Sequence, residues 1–281
     1  MAERVARLRH ELTENPFEFV AAGLFALFTV VAAVGPWIAP YDALATDAAH
    51  ALQAPSPAHW FGLDQLGRDV FSRVIVATRL DLLIAFGAVI LGGVIGSLIG
   101  AASGYFGGGA DGLVSRVVDV LMAFPLFVLA MAIVAALGDS VANVIVATAI
   151  INLPFYIRLA RVEILIRRNL GYVEAARIGG SSHLRILLVF LLPNILPALV
   201  VQASLNLGWA VLNAAGLSFI GLGIRPPTAE WGVMAADGAR FIGSGQWWIG
   251  LFPDLALMLA VFCFHLLGDV LRGRIDARAS A

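Results

Sequence analysis

Gln202, Asn206, Trp209 and Asn213 recur at intervals of four, three and four, which places three amides and one indole on a single helical face. Such groups exchange hydrogen bonds without carrying charge, so they can hold a polar solute weakly. Thr148 and Asn152, four apart, form a smaller polar pair. A different pattern fills 171–180, Gly-Tyr-Val-Glu-Ala-Ala-Arg-Ile-Gly-Gly. There Glu174 and Arg177 are an i,i+3 pair, while Tyr172, Ala175, Ala176 and Ile178 leave a side that another surface can approach closely. Gly179 and Gly180 end this short helix, and Ser181 or Ser182 caps the next. Covalent chemistry finds little support. Ser97 and Ser103 sit in no Gly-x-Ser-Gly arrangement, and no third group is placed to orient His265 as a base. His10, His50, His59, His183 and His265 lack ligand spacing, so no metal site is expected. All 18 basic residues are Arg, which removes the lysine that a Walker A loop or a Schiff-base enzyme needs.

The elements that position these residues are membrane helices. The chain is 60% hydrophobic and 13% charged over 281 residues, with mean hydropathy +0.90, too apolar for the surface of a water-soluble domain. Runs of about 20 apolar residues match the hydrocarbon thickness, and no short alternating strands are present. The fold class is therefore an all-α integral membrane protein with six transmembrane helices. They cover 17–38, 80–103, 117–137 with a kink at Pro125, 141 onward through Arg168, 195–219 and 248–267. Gly92, Gly96 and Gly100 recur every four residues in the second span and allow close helix approach. Cys263 lies in the last span as a packing residue. The divisions expected are a terminal segment 1–16, a first span with an outer segment 17–78, a transmembrane domain 79–272 containing the loop 167–193, and a tail 273–281.

Orientation follows from arginine. Arg4, Arg7, Arg9, Arg116, the six between Arg158 and Arg185, Arg272, Arg274 and Arg278 fall on one side; Arg68, Arg73, Arg79, Arg225 and Arg240 fall on the other. Short cytoplasmic segments retain positive charge, so the Glu174 loop and both termini are expected in the cytoplasm. The first span reads as an uncleaved anchor rather than a secretory signal, because its apolar run exceeds a signal core and acids crowd its basic flank. His59 to Arg73 mixes aromatics with charges and reads as an interfacial segment. No basic stripe with interleaved aromatics points to nucleic acid, and membrane lipid is the only solvent implied.

The pattern Glu174-Ala175-Ala176, three residues, Gly180, nine residues, then Phe190-x-Leu192-Pro193 resembles the cytoplasmic loop of ABC importer permeases. The segment His59-Trp60-Phe61-Gly62-Leu63-Asp64-Gln65-Leu66-Gly67-Arg68-Asp69 is similar to the Gly-Thr-Asp-x-x-Gly-Arg-Asp stretch of the C-type subunit of dipeptide and oligopeptide importers, with Leu63 where Thr is usual. Gly104-Tyr105 with Asp111, Arg116, Asp119 and Pro125, then Leu217 to Gly223 with Pro226-Pro227 and Trp231-Gly232, and the tail Leu266 to Asp269 extend the resemblance over most of the chain. Gly179, Ala214 and His265 depart from it, the last two standing where Glu and Asn are usual.

The resemblance implies the type I ABC importer transmembrane fold, and a permease of the bacterial inner membrane. It also implies a B-type permease paralogue, two ATPases that bind ATP and Mg, and an extracytoplasmic substrate-binding protein as partners, with no cofactor in this chain. It makes Tyr172, Glu174, Ala175, Ala176, Arg177 and Gly180 the ATPase-docking surface. The alternative for that run is a solvated surface loop. Gln202, Asn206, Trp209, Asn213 and Asn152 are either pathway lining or interhelical glue worth about 0.6–2 kcal/mol per contact. Arg225 and Trp231 serve receptor contact or interfacial anchoring. Di- or oligopeptides are the implied cargo, with nickel, glutathione or another small solute as the alternative. An intramembrane hydrolase and a proton-coupled carrier are rivals from other classes; the second requires carboxylates inside the membrane, and Asp81, Asp139 and Asp254 are expected at span ends.

Overall fold

The computed structural model describes residues 16–279, which are helical and connected by ordered loops. Arg4, Arg7 and Arg9, which entered the orientation argument, lie outside the described residues, as does nearly all of the expected segment 1–16. In chain order the helices are α1 (Pro16–Ile38), α2 (Val70–Phe106), α3 (Gly108–Ala123), α4 (Leu126–Leu137), α5 (Val141–Arg167), α6 (Gly171–Ile178), α7 (His183–Phe219), α8 (Trp231–Phe241) and α9 (Trp248–Ala279). Among the described residues, α1, α2, α5, α7 and α9 are long and apolar enough to cross a membrane. The sixth crossing exists only as α3 and α4 together, bent by 92°. Pro125 breaks this span outright instead of kinking it, because the residue before a proline is driven from the helical region and Phe124 is extended at φ −90°, ψ 146°.

The second span begins at Val70, well before the expected position 80, because Asp69 caps it: the carboxylate accepts from Ser72 N at 2.8 Å. Its 37 residues make about 55 Å of helix, which exceeds a hydrocarbon core of about 30 Å. The division drawn at 78/79 therefore falls inside one rigid element. Asp81, expected at a span end, is enclosed within α2 at 2% exposure.

Four glycines on α2 lie against α5 in a regular ladder. A Cβ placed on Gly92 would come 2.8 Å from Ala149 O, on Gly96 3.0 Å from Leu153 O, on Gly100 2.3 Å from Ile157 O and on Gly104 2.6 Å from Arg161 O. The four-residue step on both helices is what two parallel helices need to stay in register at backbone contact.

Within the segment 59–73 the charges are enclosed by the chain itself, while Trp60 stays 60% exposed. Asp64, Arg68, Asp69 and Arg73 are all at most 4% exposed. Arg68 Nε donates to Asp64 Oδ2 at 2.6 Å, Arg73 Nη1 donates to Ala43 O at 2.9 Å, and His59 Nδ1 lies 2.9 Å from Asp69 Oδ1. Charges sequestered this way must be paired, and the aromatic neighbours Trp60 and Phe61 pack on Phe71 to close the cluster. The helix α8 was not expected. Its cap is Glu230, an atypical capping residue whose Oε2 accepts from Val233 N at 2.8 Å, so the usual Ser, Thr, Asp or Asn start signal is missing.

Candidate functional site

The end of the bundle carrying α6 is tied by a polar network. Arg161 grips Asp111 with two bonds of 2.5 and 2.7 Å, Ser103 Oγ donates to Asp111 at 2.5 Å, and Arg168 Nη1 donates to Gly104 O at 2.9 Å. Tyr105 Oη is 2.9 Å from His183 Nδ1. These contacts join α2, α3, α5 and the start of α7. A bidentate arginine–carboxylate pair fixes orientation as well as distance, so the frame around α6 is stiff. Asp111 and Arg161 are 50 residues apart; only their place in a family motif, not their spacing, could have singled them out.

Within that frame α6 is fastened by one face. Val173 is wholly buried in the cluster that holds Tyr105, Ile164 and Ile186, and Ala176 packs half-buried beside it. Ala176, expected on the partner-facing side, is therefore chiefly an anchor; the i,i+3 pair with Val173 decides the buried stripe. Tyr172, Glu174, Ala175, Arg177 and Ile178 face outward, and Ile178 is 88% exposed. No ion pair joins Glu174 to Arg177 among the described residues, which leaves both heads available. The helix ends where Gly180 takes φ +77° and Ser181 N donates to Ala176 O at 3.0 Å, a left-handed cap. Gly179 has ordinary helical-side φ of −72°, so only the second glycine is required by the backbone.

Ser182 then caps α7 through Arg185 N at 3.4 Å. Ser182→Ala is expected to cost about 1 kcal/mol, read as a lowered thermal midpoint of the purified chain. The next turn is π-helical over Ile186–Leu191, with Leu192 N bonded to Leu187 O five residues back. This widening precedes Pro193, whose missing N–H and ring prevent a regular ladder there.

The polar face of α7 lines a cavity of about 280 Å³ between α4, α5 and α7. Gln202, Asn206, Trp209 and Asn213 meet Asn152 from α5 and Leu126, Phe127, Ile151 and Phe155 around it. Gln202 Nε2 donates to Asn206 Oδ1 at 2.9 Å, Asn213 Nδ2 to Trp209 O at 2.8 Å and Asn152 Nδ2 to Thr148 O at 2.7 Å. Each of these bonds stays within one helix. Asn206 is also within hydrogen-bonding reach of Tyr156 on α5, so this face links α5 to α7 as well as lining the cavity. No charged side chain lines the cavity, and Trp209 is 58% exposed at its mouth, so the cavity opens on the flank of this chain.

Two departures from the family pattern lie away from this cavity. Ala214 is buried among Val144, Leu217 and Val233, and His265 bonds Val261 O on its own helix at 3.0 Å while its ring packs on Gly208. At the opposite end of the bundle Arg225 is exposed and ion-paired with Asp139 across two loops. Trp231 is fully enclosed, its Nε1 donating to Val74 O at 3.1 Å and its ring set edge-on to Phe28. It supports the loop from inside and offers no surface to a receptor, because an indole with its N–H satisfied by buried backbone is a core residue.

Comparisons with known proteins converge. Residues 92–281 match the family model described as the binding-protein-dependent transport system inner membrane component, and residues 6–55 match the N-terminal transmembrane domain of oligopeptide transport permease C. The chain is 43% identical over 274 residues to the probable D,D-dipeptide transport system permease protein of Escherichia coli (strain K12), covering 98% of this chain and 92% of that one. It is 39% identical to the dipeptide transport system permease protein of Alkalihalophilus pseudofirmus over 95% of this chain and 88% of the relative. Identity to the glutathione transport system permease protein of Pectobacterium atrosepticum is 41% over 92% and 86%. Among solved structures, an inward-facing MetNI methionine ABC transporter superposes with TM-score 0.59 at 21% identity, over 72% of this chain and 95% of that one, a likeness of fold.

Proposed function

Because the chain belongs to the family of binding-protein-dependent transport system inner membrane components, as a C-type ABC importer permease, we propose that it forms half of a translocation pathway for di- or oligopeptides. The neutral amide cavity on α7 is the observation that carries this reading. Peptide backbones are themselves amides, and a wall of Gln202, Asn206, Asn213 and Asn152 without charge can exchange hydrogen bonds with them while leaving no ion pair to trap the cargo. The named relatives transport dipeptides and glutathione, itself a peptide, which supports a short-peptide class and keeps glutathione as the second reading.

The cavity opens sideways, so a B-type permease paralogue completes the pathway. The outward face of α6, with Tyr172, Glu174, Ala175, Arg177 and Ile178, receives one of two ATPases that hold ATP and Mg. An extracytoplasmic substrate-binding protein delivers cargo at the end marked by Arg225. Arginine placement supports a cytoplasmic position for α6 and both termini. Closure of the ATPases moves α6, and because Val173 packs with Tyr105, Ile164 and Ile186, and the Arg161–Asp111 grip ties α5 to α3, those helices move with it and access to the cavity reverses.

The direct test is uptake of labelled dipeptide by vesicles containing this chain with its cognate permease, ATPases and receptor. Uptake that needs ATP, is competed by dipeptides and is untouched by nickel is the expected result; competition by glutathione alone selects the second reading. Asn206→Leu and Asn213→Leu are expected to lower uptake by about 3- to 10-fold, the loss of one hydrogen-bonding partner each, with ATPase binding intact. Cysteines placed along this face should become reactive to aqueous reagents in one conformation; uniform protection in both would assign the face to packing.

A further inference from the structure

Asp81 and Glu230 meet in the extracytoplasmic half of the bundle, at 2% and 0% exposure. Each spends one oxygen on the backbone: Asp81 Oδ2 accepts from Trp231 N at 3.2 Å and Glu230 Oε2 accepts from Val233 N at 2.8 Å. Their other oxygens, Asp81 Oδ1 and Glu230 Oε1, are buried and bonded to no donor. Among the described residues no cation compensates the pair. Of the nearby arginines on α2, Arg73 is turned to Asp64 and the Ala43 and Pro227 carbonyls, and Arg79 is exposed. Arg68 engages both Asp64 and Asp237.

The packed helices add no charge. α7 has no ionisable side chain after Arg185, and the charges of α5 begin at Arg158, which is paired with Asp119. Asp254 of α9 is exposed, and Glu18 of α1 is engaged with Arg274. Ser218, at the end of α7, is a neutral neighbour whose hydroxyl accepts from Ile224 N at 3.0 Å and lies within hydrogen-bonding reach of Glu230, favouring its charged form.

Two carboxylates enclosed together without a cation cannot both be ionised, since each would carry the full desolvation penalty plus the repulsion of the other. Two carboxyls that share a proton satisfy both free oxygens, one donating and one accepting. We propose that Asp81 and Glu230 together bind a single proton, which clamps the start of α8 to the outer part of α2. The site is a proton-binding site, distinct from the amide cavity and from α6. Burial pushes the Glu230 carboxyl up from its ordinary value, against the hydrogen bonds that favour its charge. The sign of the pH dependence follows. Between the ordinary and the raised value the folded chain keeps a proton that the unfolded chain has released, so stability falls as pH rises through that window.

The test is infrared spectroscopy of the full chain in lipid nanodiscs, carried out in an Asp254→Asn background to remove the exposed carboxyl in the apolar part of α9. A protonated-carboxyl C=O band that shifts in D2O is expected, and it should vanish in both Asp81→Asn and Glu230→Gln. In either variant the amide N–H donates to the remaining carboxylate and no proton is needed, so the thermal midpoint should lose its fall towards alkaline pH. A band that survives both substitutions, or none in the unsubstituted pair, overturns the proposal. A band that appears only when sodium is withdrawn also overturns it, by placing a metal cation where the proton was assigned. Should either variant fail to accumulate, carboxyl-13C labelling of aspartate and glutamate in the unsubstituted pair must still shift the band; an unlabelled position for that band sinks the idea.

Discussion

A chain carrying Glu174→Lys is expected to reach the membrane in normal amount and to lose at least about 30-fold in ATP-driven uptake, the equivalent of about 2 kcal/mol at a charged contact. Glu174 is exposed and its side chain has no bond among the described residues, so its replacement leaves the fold untouched and any loss reports on a partner. Co-purification of the ATPases should fall in parallel. Gly180→Val should give a similar loss by another route. Gly180 has φ +77° with open space around its Cβ position, so the penalty is conformational, about 1–2 kcal/mol, and α6 would lose its end and its angle. Gly180→Asn, which tolerates the left-handed region, should retain most uptake. If Glu174→Lys and Gly180→Val both transport and stimulate hydrolysis as wild type does, α6 is a surface loop and the energy enters elsewhere.

Gly100→Leu is expected to abolish accumulation of folded protein. A Cβ there would stand 2.3 Å from Ile157 O and 2.8 Å from Ile157 Cα, backbone atoms that cannot rotate away. Gly100→Ala alone should cost about 1–3 kcal/mol, since overpacking at a helix contact forces the axes apart. The same substitution at Gly109, where nothing lies within 4 Å, provides the control and should be silent to within a few tenths of a kcal/mol apart from helix propensity. The readout is the fraction that elutes as a monodisperse species after detergent extraction. Survival of Gly100→Leu at wild-type levels would mean that α2 and α5 are not in backbone contact.

The glycine ladder was legible because its period is local: Gly92, Gly96 and Gly100 stand in the sequence four apart, whatever they touch. The stripe on α7 was legible for the same reason, and helical periodicity alone brings Gln202, Asn206, Trp209 and Asn213 to one wall. Asp81 was misplaced because its environment depends on Glu230, which is 149 positions away and belongs to a helix whose start signal is unusual. Trp231 was misplaced likewise. Aromatics beside loops read as anchors or contacts, and only the docking of α8 on α2 turns this one into core.

Composition and the runs of apolar residues are enough to require a polytopic helical protein, and the absence of lysine leaves this chain without the lysine of a Walker A loop. These are properties of residue type and order, and solvation acts on them before any tertiary contact forms. Which face of α6 is free, where the third span breaks, and that two carboxyls must share one enclosed site are decided by the packing of helices distant in sequence. Burial is a property of the assembled bundle: Val173 and Ala176 are anchors only because Tyr105, Ile164 and Ile186, distant in sequence, pack in the same cluster.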